Sequence, residues 1–170
     1  TVATSSPRRA ALVHDVRADL RVVAMRGNVD TRLRKLAAGA VDALLVAAAG
    51  MDRLGLGDQV SERLDPRHFV PAPAQGIVGI EAMCGSIAAD LCARAQDPAS
   101  ATALAAERSV LRHLGGGCLL PLGAWARPEG AELVLSGALG VGSGEVRRAE
   151  VRGRPEQAEA LGAELAERLR

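Results

Sequence analysis

Aromatic residues are nearly missing: the 170-residue chain holds one phenylalanine, Phe69, one tryptophan, Trp125, and no tyrosine. Binding of single-stranded nucleic acid uses several rings stacked on successive bases, so this scarcity argues against that function. Lysine is as scarce, because Lys35 is the sole lysine among 21 basic residues. Arginine, alanine and glycine richness of this kind also follows from a GC-rich genome, with no functional cause. No charge of one sign dominates: residues 1–70 carry 11 basic and 8 acidic side chains, residues 71–170 carry 10 and 12, and the net charge is +1. That balance is too weak for a nucleic-acid footprint, and its N-terminal excess suits a small polyanion. Three cysteines, Cys84, Cys92 and Cys118, form no C-x-x-C pair and leave one thiol unpaired however they bond, which favours a reducing compartment. His14, His68 and His113 show no metal-ligand spacing with one another or with the cysteines, so no metal site is expected. No apolar run approaches the roughly 20 residues that span a bilayer, and no signal-peptide pattern opens the chain.

What is present is the composition of a globular protein, 48% hydrophobic and 24% charged. A chain of this length buries roughly two-thirds of its surface, as one ordinary domain or two small ones. Val2–Ala3 reads as the end of a strand. Ser6 caps the next helix and Pro7 occupies its first turn, where a missing N–H costs nothing. Apolar runs at 20–25 and 41–47 predict strands, with a helix over 30–38 between them. Strands alternating with helices imply right-handed crossovers and a parallel sheet. Pro71-Ala72-Pro73-Ala74 is a stiff crossing segment, followed by a predicted strand over 77–83 and a helix over 87–95. The remainder changes character: a helix over 99–114, three glycines, strands near 120–126, 131–139 and 146–152, and a final helix opened by Pro155. Turns are predicted at 128–130 and 140–144. Short turns between strands predict an antiparallel meander covered by two helices.

Three constellations carry chemistry. Thr4-Ser5-Ser6-Pro7-Arg8-Arg9 places hydroxyls, free backbone N–H groups and two guanidinium groups at a helix start, which suits carboxylates or phosphates. An ordinary cap with solvated arginines has the same pattern. Arg26, Gly27 and Arg32 follow the second strand, at the carboxyl end where open α/β sheets bind ligands. Arg53 follows the third strand and either joins these arginines or pairs with Asp52 or another neighbour. Arg34 and Lys35 read as a solvated helix face. Gly115-Gly116-Gly117-Cys118 presents a thiol on a glycine-framed loop, as a covalent attachment point or as a small buried hydrophobe. His113 is not placed as its base. Glu107 falls within the apolar stripe of its helix, beside Ala103, Leu104, Val110, Leu111 and Leu114, and a structural ion pair is expected there rather than catalysis.

Five segments, T-S-S-P-R-R at 4–9, R-G-N-V-D-T-R-L-R-K-L at 26–36, A-A-A-G-M-D-R-L-G at 47–55, P-A-P-A-Q-G at 71–76 and G-G-G-C-L-L-P-L-G at 115–123, occur in the order and spacing of the hydroxymethylbilane synthase (porphobilinogen deaminase) family, and the chain resembles it from end to end. The resemblance implies a transferase of tetrapyrrole and haem biosynthesis. It condenses four porphobilinogen molecules into hydroxymethylbilane with loss of ammonia, on a dipyrromethane cofactor joined through a thioether to Cys118. It further implies that Thr4, Ser5, Ser6, Arg8, Arg9, Arg26, Gly27, Arg32, Arg53 and Gln75 hold the acetate and propionate groups of cofactor and substrate. The implied fold is α/β, a periplasmic-binding-protein-like parallel-sheet portion, followed by a small α+β domain. Residues 1–70 would be most of domain 2, 71–95 a hinge and return segment of domain 1, and 96–170 the cofactor-attachment domain. A cytoplasmic protein is implied, a monomer when complete or else partnered by a separate N-terminal fragment, with no nucleic-acid or membrane partner. The family's catalytic aspartate lies in an N-terminal Lys-Asp-containing motif that has no counterpart here, and Leu119 stands where the family usually has a polar residue. A fragment, a split gene product or a decayed copy is therefore expected, binding only part of the cofactor's carboxylates and inactive alone. The alternative is a non-catalytic module for small polyanions.

Overall fold

The Ser6 cap and Pro7 start the first helix, and apolar runs on either side of it supply the strands of the first unit. The computed structural model describes residues 1–117, 119–142 and 144–170. Ser143, within the turn predicted at 140–144, lies outside the described residues. Strand β1 (Val2–Ala3) leads through helix α1 (Pro7–Val16) to β2 (Val22–Val23), then through α2 (Val29–Ala37) to β3 (Ala43–Leu44) and α3 (Ala48–Arg53). The sheet order is β2-β1-β3, with Val2 level with Val22 and Ala43, and both pairings parallel. The predicted runs over 20–25 and 41–47 contain the strands but exceed them. β1 offers two residues for pairing, so its neighbours have two partners each. Ala3, Met25 and Val41 form a core cluster, with Val23, Leu36 and Leu44 packed against it. This compact unit comprises residues 1–70 with 117–122 and 139–147.

The second compact unit comprises 71–116, 123–138 and 148–170. It contains α4 (Ile87–Arg94) and α5 (Pro98–His113), most of β4 (Leu122–Glu129), β5 (Glu132–Gly140) and β6 (Val146–Gly153), and α6 (Ala158–Leu169). The three strands form an antiparallel sheet in the order β4-β5-β6. Pro128 and Glu129 belong to β4 rather than to the predicted turn, because the chain reverses one residue later at Gly130. Asp97 caps α5 by accepting the Ser100 N–H at 2.7 Å. The α6 face predicted from Ala158, Leu161, Leu165 and Leu169 is buried. At Gly162 the two helices meet so closely that a methyl group would overlap Ser109 Cβ and the Ala106 carbonyl oxygen. No helix among the described residues is long and apolar enough to cross a membrane.

Two expectations fail. Residues 77–83 form no strand. An extended segment is stabilised by a neighbour that bonds its N–H and C=O groups, and none of the sheets among the described residues takes it in. Val78, Ile80 and Met83 are accordingly 75%, 66% and 82% exposed, and α4 beyond them buries none of its residues. Glu107 makes no ion pair either. It is buried, and its two carboxylate oxygens accept backbone N–H groups instead, from Ala74 at 2.6 Å and Ala126 at 2.9 Å. Burial raises its pKa, and these two bonds oppose the rise. An apolar stripe foretells that a carboxylate needs partners but not that backbone supplies them.

Candidate anion site at the carboxyl ends of the parallel sheet

Because β1 lies between β2 and β3, the chain leaves it toward one side and later crosses to the other. Such a reversal opens a crevice beyond the carboxyl ends of the strands. The segments that follow the three strands, 4–6, 24–28 and 45–47, emerge together there. Thr4 is buried, and its Oγ1 accepts the Ser6 N–H at 3.2 Å. Ser6 Oγ caps α1 by accepting the Arg9 N–H at 3.3 Å. Ser5 Oγ donates to the Met25 carbonyl at 2.7 Å, tying the end of β1 to the end of β2. The hydroxyl hydrogens of Thr4 and Ser6 remain available to an acceptor, since both oxygens act as acceptors in these bonds.

The arginines divide by role. Arg8 is buried and donates from Nη1 to the Val70 carbonyl at 2.6 Å. Burial, and secondarily Arg9, pull its pKa down to about 10. Arg9 donates to the Leu45 carbonyl at 3.2 Å, beyond β3, and its pKa is lowered by burial and then by Arg32. Arg32 is held by an Nε bond to the Gly27 carbonyl at 2.8 Å. Gly27 itself has φ +123, and a methyl group there would press on the Thr31 side chain, so the turn needs glycine. Arg9 thus depresses Arg8, and Arg32 depresses Arg9. α1 has no acidic residue in its first turn. Like charges gathered at a positive helix end carry an electrostatic cost that an anion relieves.

Arg26 and Arg53 are exposed, and their side chains make no hydrogen bond or ion pair with another described residue. Of the two readings of Arg53, pairing with Asp52 is ruled out: Asp52 bonds Arg63 instead, at 2.5 and 3.1 Å, a partner eleven residues away in a loop that no sequence signal marks. Gln75 belongs to the second unit, where its Oε1 accepts the Ala72 N–H at 3.1 Å. Cys118 lies outside the described residues. Arg34 and Lys35 are exposed, as a solvated helix face requires. No group of three or more His, Cys, Asp or Glu side chains that could hold a metal is gathered among the described residues.

The parallel sheet thus collects guanidinium and hydroxyl groups at its carboxyl ends. Residues 1–89 match the family model described as "Porphobilinogen deaminase, dipyromethane cofactor binding domain", and residues 101–170 match that described as "Porphobilinogen deaminase, C-terminal domain". Among curated relatives, the porphobilinogen deaminase of Roseiflexus castenholzii is 46% identical over 169 residues, 99% of this chain and 56% of that protein. That of Syntrophobacter fumaroxidans is 44% identical over 167 residues, 96% of this chain and 54% of that protein. The chain belongs to the porphobilinogen deaminase family. It spans about half the length of the curated relatives it matches.

Proposed function

We propose that the chain supplies the carboxylate-binding part and the cofactor-attachment part of a hydroxymethylbilane synthase. The observation that carries this is the juxtaposition of Arg9 and Arg32 at the carboxyl end of the sheet, each lacking a carboxylate partner among the described residues. The donor set fits a dipyrromethane, whose acetate and propionate groups need several cations and hydroxyl donors. When bound through Cys118, that group would supply the terminal pyrrole that primes the chain, the first porphobilinogen joining there with loss of ammonia and each later one joining the growing end. Arg9 and Arg32 fix carboxylates at the sheet edge, Thr4 and Ser6 donate their hydroxyl hydrogens, and Arg26 and Arg53 reach from the rim. Arg8, bonded to Val70, sets the floor of this arrangement and contributes charge.

The catalytic aspartate belongs to the portion of the family's length that this chain does not include. Residues 1–70 are read as most of a periplasmic-binding-protein-like domain 2, 71–95 as the return segment of domain 1, and 96–170 as the attachment domain. Exposed Val78, Ile80, Met83, Ile87 and Leu91 support the middle assignment, since apolar side chains in that number favour a covering partner. A monomer working in the cytoplasm completes the reading. The test is replacement of Arg26 or Arg32 by Gln in the full-length protein, which should make partly elongated pyrrole chains accumulate. Unchanged turnover in both variants refutes the site assignment, whereas absence of turnover together with an unmodified Cys118 in the parent protein favours the non-catalytic polyanion module.

A further inference from the structure

Glu107 is a buried carboxylate that the anion site does not use. It lies on α5, and its two bonds reach two different parts of the second unit: Ala126 on β4 and Ala74 in the crossing segment. β4 is an edge strand, paired with β5 on one side. Along its other side the Ala124 N–H donates to the Pro71 carbonyl at 2.9 Å, and two residues on the Ala126 N–H donates to Glu107. N–H groups two residues apart on a strand face the same edge. Pro71 therefore starts along β4 as a further strand would, and the carboxylate serves as the next acceptor where the main chain has turned away. The turn falls at Ala74, with φ +65 the one positive-φ residue other than glycine among the described residues. A side chain disfavours that conformation, so something must hold it.

We infer that Glu107 is a positioning residue: its carboxylate latches the 71–76 segment to α5 and β4 and so sets the direction in which the chain turns away from β4 at Ala74. The side-chain chemistry is specific. A carboxylate is purely an acceptor with two oxygens, so it meets two N–H donors at once. A glutamine of the same shape turns its NH2 toward one of them and loses that bond. Leucine loses both and leaves two buried N–H groups without acceptors. The inference does not rest on the tetrapyrrole reading, because it concerns only how this chain holds its own crossing.

The experiment is residue-resolved amide hydrogen exchange on the 170-residue chain and on Glu107→Gln. In the unaltered chain the Ala74 and Ala126 amides should be protected as strongly as those of α5. In the variant at least one of the two should exchange about tenfold faster, the effect of losing one net hydrogen bond, while amides within α5 and α6 hold their rates. Unchanged exchange at both positions, or a uniform rise across α5 and α6, overturns the latch. Should the variant not fold, the unaltered chain still decides: an Ala74 amide exchanging as freely as an unstructured one contradicts the inference.

Discussion

Arg8 and Arg26 stand within one arginine-rich constellation yet should respond oppositely to removal. Arg8 is 7% exposed and bonds the Val70 carbonyl at 2.6 Å. Arg8→Met leaves that buried carbonyl short of a donor, a cost of about 1–3 kcal/mol. Removing a desolvated charge beside Arg9 offsets part of this, so a net loss of about 1–2 kcal/mol is expected. Arg26 is exposed and bonds no described residue, so Arg26→Gln should change stability by no more than about 0.5 kcal/mol. Binding should reverse the order. One charge-assisted bond to a carboxylate is worth about 1.5–3 kcal/mol, and solvent screening at an exposed site favours the lower figure, about tenfold in Kd. Urea unfolding gives the stabilities, and calorimetric titration with a dipyrromethane bearing acetate and propionate groups gives Kd. An Arg26→Gln chain that is destabilised but binds normally, or an Arg8→Met chain as stable as the parent, refutes the division of roles.

Gly162→Ala forces a methyl group into the α5–α6 contact at Ser109 and Ala106. A loss of about 1–3 kcal/mol or more is expected by urea unfolding, and a neutral result would mean the helices do not meet there. On the outer face of the antiparallel sheet, Arg127 and Arg152 each bridge Glu129 and Glu150, with N–O distances of 2.9–3.0 Å. Burial pushes the Glu150 carboxyl up, but Ser136, Arg127 and Arg152 outweigh it and bring the pKa to about 2, below its ordinary 4.5. A depressed carboxylate stabilises above its unfolded value, so this contribution should fade as pH falls from 4.5 toward 2. Glu150→Gln should flatten that part of the stability profile; an unaltered slope removes the assignment. Glu107 has the opposite sign: its raised pKa makes its contribution fall as pH rises from 4.5 through the folded value.

The elements that could be read from sequence are those whose signals are local. Ser6 and Pro7 announce α1, and the Leu161, Leu165 and Leu169 stripe announces the buried side of α6, because a cap or a 3.6-residue period needs no knowledge of neighbours. Strand extent depends on partners, so the segment 77–83 carries strand chemistry yet forms none. The same holds for the site. Residue types and spacing placed Arg8, Arg9, Arg26 and Arg32 around the strand ends. They did not separate Arg8, which holds Val70, from Arg26, whose side chain holds no described residue, since that distinction lies in burial and in a contact 62 residues away. Glu107 was legible as a carboxylate in need of partners, while the partners, Ala74 and Ala126, are backbone groups that any residue type could offer.

The claim at the centre is that Cys118 carries a carboxylate-bearing dipyrromethane that the Arg9–Arg32 cluster receives. Intact-mass and peptide mass spectrometry of the full-length protein tests it most directly. The account expects an added dipyrromethane mass on the peptide containing Cys118, absent from a Cys118→Ser variant. A Cys118 peptide of unmodified mass in a folded full-length protein contradicts it.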